Sequence, residues 1–139
     1  MKRFLLLLFI LLSSCTNNPE NYLEHINGYW EIEEVVLPDG TKREYRINET
    51  IDYLKINDSL KGFRKKMKPG LNDTYYTSDD AEAIVARIEN NKLILQYSTP
   101  YSIWEEVVLE ANKERLKVVN EEKVVYLYKR YSPINLNLE

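Results

Sequence analysis

Apolar and polar residues alternate with a period of two along most of the chain after residue 27, a pattern that predicts strand after strand. Residues 29–37 place Trp30, Ile32 and Val36 on one face, with Glu31 and Glu33 on the other. Pro38, Asp39 and Gly40 then form a tight turn, because proline presets φ and Asp-Gly tolerates positive φ. Residues 41–47 are expected to return as a strand. Further strands are expected over 51–57, 60–67, 92–98, 101–111, 114–119 and 123–131, with turns at 57–59, 68–70, 112–113 and 120–122. Tyr75 and Tyr76 fall in a short strand or loop. Residues 81–88 admit two readings. Ser78, Asp79 and Asp80 are able to cap a helix, whereas Ile84, Ala86 and Ile88 alternate as in a strand and Asn90-Asn91 suits a hairpin. The strand is the preferred reading. Eight or nine strands spaced about 8–12 residues apart are the signature of a sandwich or barrel. A meander of this length whose first and last strands pair closes and removes its edges. We therefore expect an all-β, antiparallel up-and-down barrel. With about eight strands, its interior is filled by side chains or holds one small ligand.

The first fifteen residues break the pattern. Met1, Lys2 and Arg3 precede an unbroken apolar run over 4–12, then Ser13, Ser14 and Cys15. A basic start, a short apolar core and small residues before a cut site make a secretory signal peptide. The apolar run is too short to span a bilayer, which takes about 20 residues. The tetrad Leu12-Ser13-Ser14-Cys15 resembles a bacterial lipobox, which implies that Cys15 is lipidated and becomes the first residue of the mature protein. The expected organisation is a signal peptide over 1–14, the lipidated Cys15 with a polar tether over 15–26, the barrel over 27–131 and a tail over 132–139. Thr16 follows Cys15 where an Asp would suggest retention in the inner membrane. An outer-membrane anchor in the cell envelope is therefore favoured, with periplasmic and surface exposure both open. Cys15 is the only cysteine, so disulfides and a cysteine nucleophile drop out.

Composition narrows the partners. Loss of Lys2 and Arg3 with the signal moves the formal charge from −3 to −5, which argues against nucleic acid and its basic footprint. With Phe4 and Phe9 also removed, Phe63 stands beside eleven Tyr and two Trp. Tyrosine suits half-buried strands and surfaces that are apolar at one end and wet at the other. Four glycines and no fixed-period repeat argue against collagen-like, solenoid or propeller architectures.

Gly28-Tyr29-Trp30 at the start of the first strand resembles the Gly-x-Trp signature of lipocalins. Residues 126–131, with Tyr126, Tyr128 and Arg130, resemble the closing strand of small bacterial lipocalin-like lipoproteins. The resemblance spans most of 27–131. It implies that Arg130 covers Trp30 and seals one end of a barrel, a contact worth about 0.5–2 kcal/mol. The middle Thr-Asp-Tyr motif is missing, and residues 132–139 with Pro133 are too short for the helix that packs on lipocalin barrels.

Catalysis finds little support. His25 is the only histidine and lies in a polar stretch, so a histidine triad or a histidine metal site lacks members. Glu105, Glu106, Glu110 and Glu114 suggest an acid/base pair, but strand neighbours point to opposite faces, and a solvated strand face is expected. Asp73, Asp79 and Asp80 lack calcium-loop spacing. Lys61, Arg64, Lys65, Lys66 and Lys68 form the one basic patch, read either as a contact for anionic headgroups or as an edge strand kept soluble by lysines, with the edge strand preferred. No catalytic residue, metal or cofactor is assigned. If Trp30, Ile32, Leu93, Leu95, Tyr97, Tyr126 and Tyr128 face inward together, they line an apolar interior with a few hydroxyls, suited to a small apolar or amphipathic ligand. The same residues also make a filled core. Two functions follow: a lipid-anchored, non-enzymatic carrier of such a ligand, or an envelope module with a solid core whose tyrosine-rich surface binds a protein or glycan. Exposure of Tyr97, Tyr126 and Tyr128 separates them.

Overall fold

The computed structural model describes residues 18–71, 74–78 and 80–133. A short helix α1 (Pro19–Ile26) leads into strands β1 (Gly28–Val36), β2 (Lys42–Glu44), β3 (Ile51–Ile56), β4 (Lys61–Pro69), β5 (Tyr75–Thr77), β6 (Glu82–Glu89), β7 (Lys92–Ser98), β8 (Ile103–Ala111), β9 (Arg115–Asn120) and β10 (Val125–Arg130). Every pairing is antiparallel. The order runs β10-β9-β8-β7-β6-β4-β3-β1, and β10 pairs back onto β1, so eight strands close into a barrel. β2 lies beside the end of β1, and β5 beside the end of β4. The expected all-β barrel is thus present, and residues 82–89 are strand rather than helix.

Two bulges reset the alternation. The β1–β10 register shifts between Ile32 and Glu34, so Val35, not Val36, joins Trp30 and Ile32 on the inner face, where Val35 lies opposite Tyr126. An equivalent shift between Val108 and Glu110 turns Ala111 inward. A bulge puts two residues of one strand opposite one of the other, which moves the inward face by one position.

Three expectations need correction. The polar tether over 15–26 does not extend to residue 26. Asn18 accepts a hydrogen bond from the Glu20 N–H and Pro19 occupies the first turn, the pattern of a capped helix start. Tyr22, Leu23 and Ile26 then pack against the core, with Ile26 fully buried and the Tyr22 hydroxyl donating to the Leu109 carbonyl at 2.9 Å. The strand expected over 41–47 shrinks to β2, because Tyr45 bonds to the Glu33 carbonyl and the chain then leaves the sheet. The basic stretch is no edge either: β4 is paired on one side by β3 and on the other by β6 and β5. The proposed signal peptide, Cys15, Asp73, Asp79 and residues 134–139 lie outside the described residues.

The barrel is filled at one end. Ile26, Trp30, Leu54, Ile84, Leu93, Leu95, Val108, Leu116 and Val118 form one core beneath α1. Burial of this kind supplies about 25 cal/mol per Å² of apolar surface.

Candidate functional site

α1 covers the end of the barrel where β1 begins and β3 ends. Asn27 ties that corner, with its side chain donating to the Ile56 carbonyl and accepting from the Ile56 N–H. The Trp30 indole N–H donates to the Ile26 carbonyl at 2.8 Å. The Arg130 guanidinium lies 3.8 Å from the centre of the Trp30 ring. It donates to the carbonyls of Asn27 (2.8 Å), His25 (2.7 Å) and Lys113 (3.0 Å), joining the helix end, β1 and the β8–β9 turn. Gly28 makes room for it: φ is +132°, and a Cβ there would sit 2.5 Å from Arg130 Nη1. A glycine two residues before the tryptophan therefore has a physical reason in this fold. His25 contributes a carbonyl to this closed end.

The opposite end is polar. β4 turns Arg64 and Lys66 inward, because they lie opposite Leu54 and Asp52 on the buried face of β3. Arg64 donates from Nε to Glu82 (2.8 Å) and from Nη1 to Glu106 (3.2 Å), and Nη2 also pairs with Glu82. Its guanidinium stands 4.2 Å from the centre of the Tyr97 ring, which in turn stacks on Trp104 at 5.6 Å. Glu106 is 5% exposed, not on the solvated face expected for it. It is in phase with Trp104 and Val108, and that face is the interior. Burial pushes its carboxyl up from the ordinary range, against the opposing pull of Arg64 and of hydrogen bonds from Tyr97 and Arg64. Burial also raises the Tyr97 and Tyr128 hydroxyls, so both remain protonated donors.

Asp52, on β3, is 3% exposed. Lys66 Nζ lies 2.6 Å from its Oδ1, an ion pair at hydrogen-bonding distance.

Two adjoining cavities open here. One, of about 230 Å³, is bounded by Asp52, Arg64, Lys66, Trp104, Glu106 and Asn120. The other, of about 330 Å³, reaches Trp30, Ile32 and Val35 and passes beneath the loop carrying Tyr45, Ile47 and Asn48. Asp52, Lys66, Tyr126 and Tyr128 belong to both.

The residues expected to line a ligand site therefore divide. Tyr126 and Tyr128 border both cavities, and Trp30 and Ile32 border the second. Leu93, Leu95 and Tyr97 are sealed in the core and border neither: Leu93 and Leu95 lie in the filled half of the barrel, and Tyr97 is covered by the Arg64 guanidinium and the Trp104 ring. The wall is consequently far more charged than the apolar lining expected. Sequence reasoning places none of Asp52, Arg64, Lys66, Trp104, Glu106 and Asn120 on this wall; Arg64 and Lys66 read as part of a basic edge and Glu106 as part of a solvated face. For Asp52 a signal existed: it alternates in step with Leu54 and Ile56.

A barrel closed at one end by a helix, a tryptophan and a covering arginine, with a cavity at the other, has the form of a small ligand-binding barrel. Residues 26–118, more than half of the sequence, match the family model described as a lipocalin-like domain. The chain belongs to that family. None of the curated proteins compared matches it. Among solved structures, it is similar to a lipocalin-like protein from Bacteroides uniformis (8% identity, TM-score 0.47, covering 76% of this chain and 97% of that one). It is also similar to an uncharacterized protein from Bacteroides eggerthii (11% identity, TM-score 0.46, covering 76% and 98%).

Proposed function

We propose that this protein is a lipid-anchored envelope lipoprotein that binds a small amphipathic molecule in the mouth of its barrel and performs no catalysis on it. The observation that carries the reading is the pair of adjoining cavities, of about 230 and 330 Å³, between a polar wall at Asp52, Arg64 and Glu106 and an apolar one at Ile32 and Val35. Ligand sites combine apolar walls, which give affinity, with a few placed polar groups, which give orientation. Tyr128 is 9% exposed and Tyr126 half-buried, and both border the cavities, which favours a carrier, while Tyr97, 1% exposed, is withdrawn from any docking surface. On the outer face, Tyr29 stacks on both Tyr53 and Tyr75 at 4.7 Å, so these rings turn toward one another.

Native mass spectrometry on the protein recovered from the envelope of its source cells tests the carrier. The expected result is a reproducible adduct of a few hundred daltons that is lost on denaturation. A bare mass that stays bare after incubation with envelope extract sinks the reading.

The anchor rests on the resemblance of residues 12–15 to a lipobox. Cys15→Ser is expected to abolish incorporation of labelled palmitate and to move the protein out of the membrane fraction. Unchanged labelling excludes Cys15 as the attachment point. Two or more chains at one cysteine hold a protein on the bilayer, whereas a single chain holds it marginally.

A further inference from the structure

We propose that the head group recognised in the mouth is a primary ammonium, which docks on Asp52 in place of Lys66. The proposal rests on the carrier reading and specifies its ligand class.

Three observations lead to it. Asp52 is a buried carboxylate whose neutralising charge is the Lys66 ammonium, 2.6 Å from Oδ1, although a carboxylate oxygen has room for two donors. Burying such a charge uncompensated is costly, so whatever displaces Lys66 must bring a positive charge of its own. Its present neighbour is replaceable: the Lys66 side chain is 64% exposed and ends in a strongly hydrated ammonium on a flexible stem, able to move into water. Arg64, by contrast, is committed through Nε, Nη1 and Nη2 to Glu82 and Glu106.

This asymmetry sets the sign of the ligand. Of the two cations on the wall, Lys66 is the one able to move to an anionic head group, and drawing it away strands the Asp52 charge in the interior. An ammonium keeps Asp52 compensated and releases Lys66 to solvent. Formal charge agrees, with three carboxylates (Asp52, Glu82, Glu106) facing two cations (Arg64, Lys66). Trp104, Tyr126 and Tyr128 border the same space, and aromatic faces attract cations. The apolar remainder of the ligand then lies toward Ile32 and Val35.

The test is calorimetric titration of the full-length chain, held in phosphatidylcholine nanodiscs, with three probes of similar size: 2-phenylethylamine, 2-phenylethanol and 3-phenylpropanoate. The amine is expected to bind at least tenfold more tightly than the alcohol. Asp52→Asn should erase that preference, and Lys66→Met, which leaves Asp52 without a competitor, should tighten the amine severalfold. Should Asp52→Asn fail to give a cooperative unfolding transition, Lys66→Met decides, since a weaker amine in that variant overturns the proposal. A preference for phenylpropanoate that disappears in Lys66→Met assigns an anionic head group and overturns the proposal while leaving the carrier in place. Equal binding of amine and alcohol does the same. No binding of any probe at millimolar concentration, by wild type or either variant, overturns the proposal and the carrier reading together.

Discussion

Trp30→Ala should lower the stability of the barrel by about 3–5 kcal/mol, the range for removing a large aromatic from a packed interior. Trp30 is fully buried and sits where α1, β1 and β10 meet. Its loss removes the ring under Arg130, opens a void beneath the helix and leaves the Ile26 carbonyl without its donor. Arg130→Ala acts on the same joint from the other side, since the carbonyls of Asn27, His25 and Lys113 each lose a charged donor. Hydrogen bonds from charged groups are worth about 1.5–3 kcal/mol each in favourable cases. Arg130 is partly exposed, so water recovers part of this, and a loss of about 2 kcal/mol is expected for this variant. Urea unfolding of the two single variants and the double variant gives the coupling directly. A coupling of about 0.5–2 kcal/mol, the range for a cation over an aromatic face, identifies the pair as a unit. Additive effects, or two silent single variants, show that the end is closed by α1 and the core alone.

What the sequence disclosed follows from which physical signals are local. Alternation with a period of two survives in any strand with one buried face, so the strands over 82–89, 92–98 and 115–120 stand close to where the pattern put them. Bulges leave no such trace. The extra residue between Ile32 and Glu34 turns Val35 inward where simple alternation points to Val36, and nothing in the side chains of 32–36 announces it. α1 was hidden for another reason: six of its eight residues are not aliphatic, and its helical state depends on the Asn18 cap and on Ile26 reaching the core. The charged wall was concealed by a prior about chemistry. Glu106, Arg64 and Lys66 look like solvated strand positions until the register shows them in step with Val108, Gly62 and Asp52. Glu105 and Glu106 illustrate the point, because neighbours on a strand must part, and one of the two had to face the interior.

Arg64→Met should cost about 3–5 kcal/mol at neutral pH, the cost of leaving a buried charge without its partner. Glu106 bears most of it, since Glu82, with a side chain 28% exposed, remains partly solvated. The pH dependence follows from the direction of the Glu106 shift. Burial holds its carboxyl above the ordinary glutamate value of 4.5, so the folded protein keeps that proton more tightly than the unfolded chain does. A group of this sign contributes its full stability below the ordinary value, and the contribution is lost as pH rises through the raised one. Arg64 is the charge that opposes the shift. Its removal drives the Glu106 carboxyl higher still, so Arg64→Met should lose stability relative to wild type as pH climbs from about 4.5 toward neutrality. Adding Glu106→Gln to Arg64→Met removes the titrating group and should restore more than half of the loss at neutral pH, while flattening the profile. Chemical denaturation of wild type, Arg64→Met and the double variant across that pH range measures all three effects. A loss in Arg64→Met that is the same at every pH would mean that Arg64 acts by filling space over Tyr97 rather than by holding the Glu106 charge.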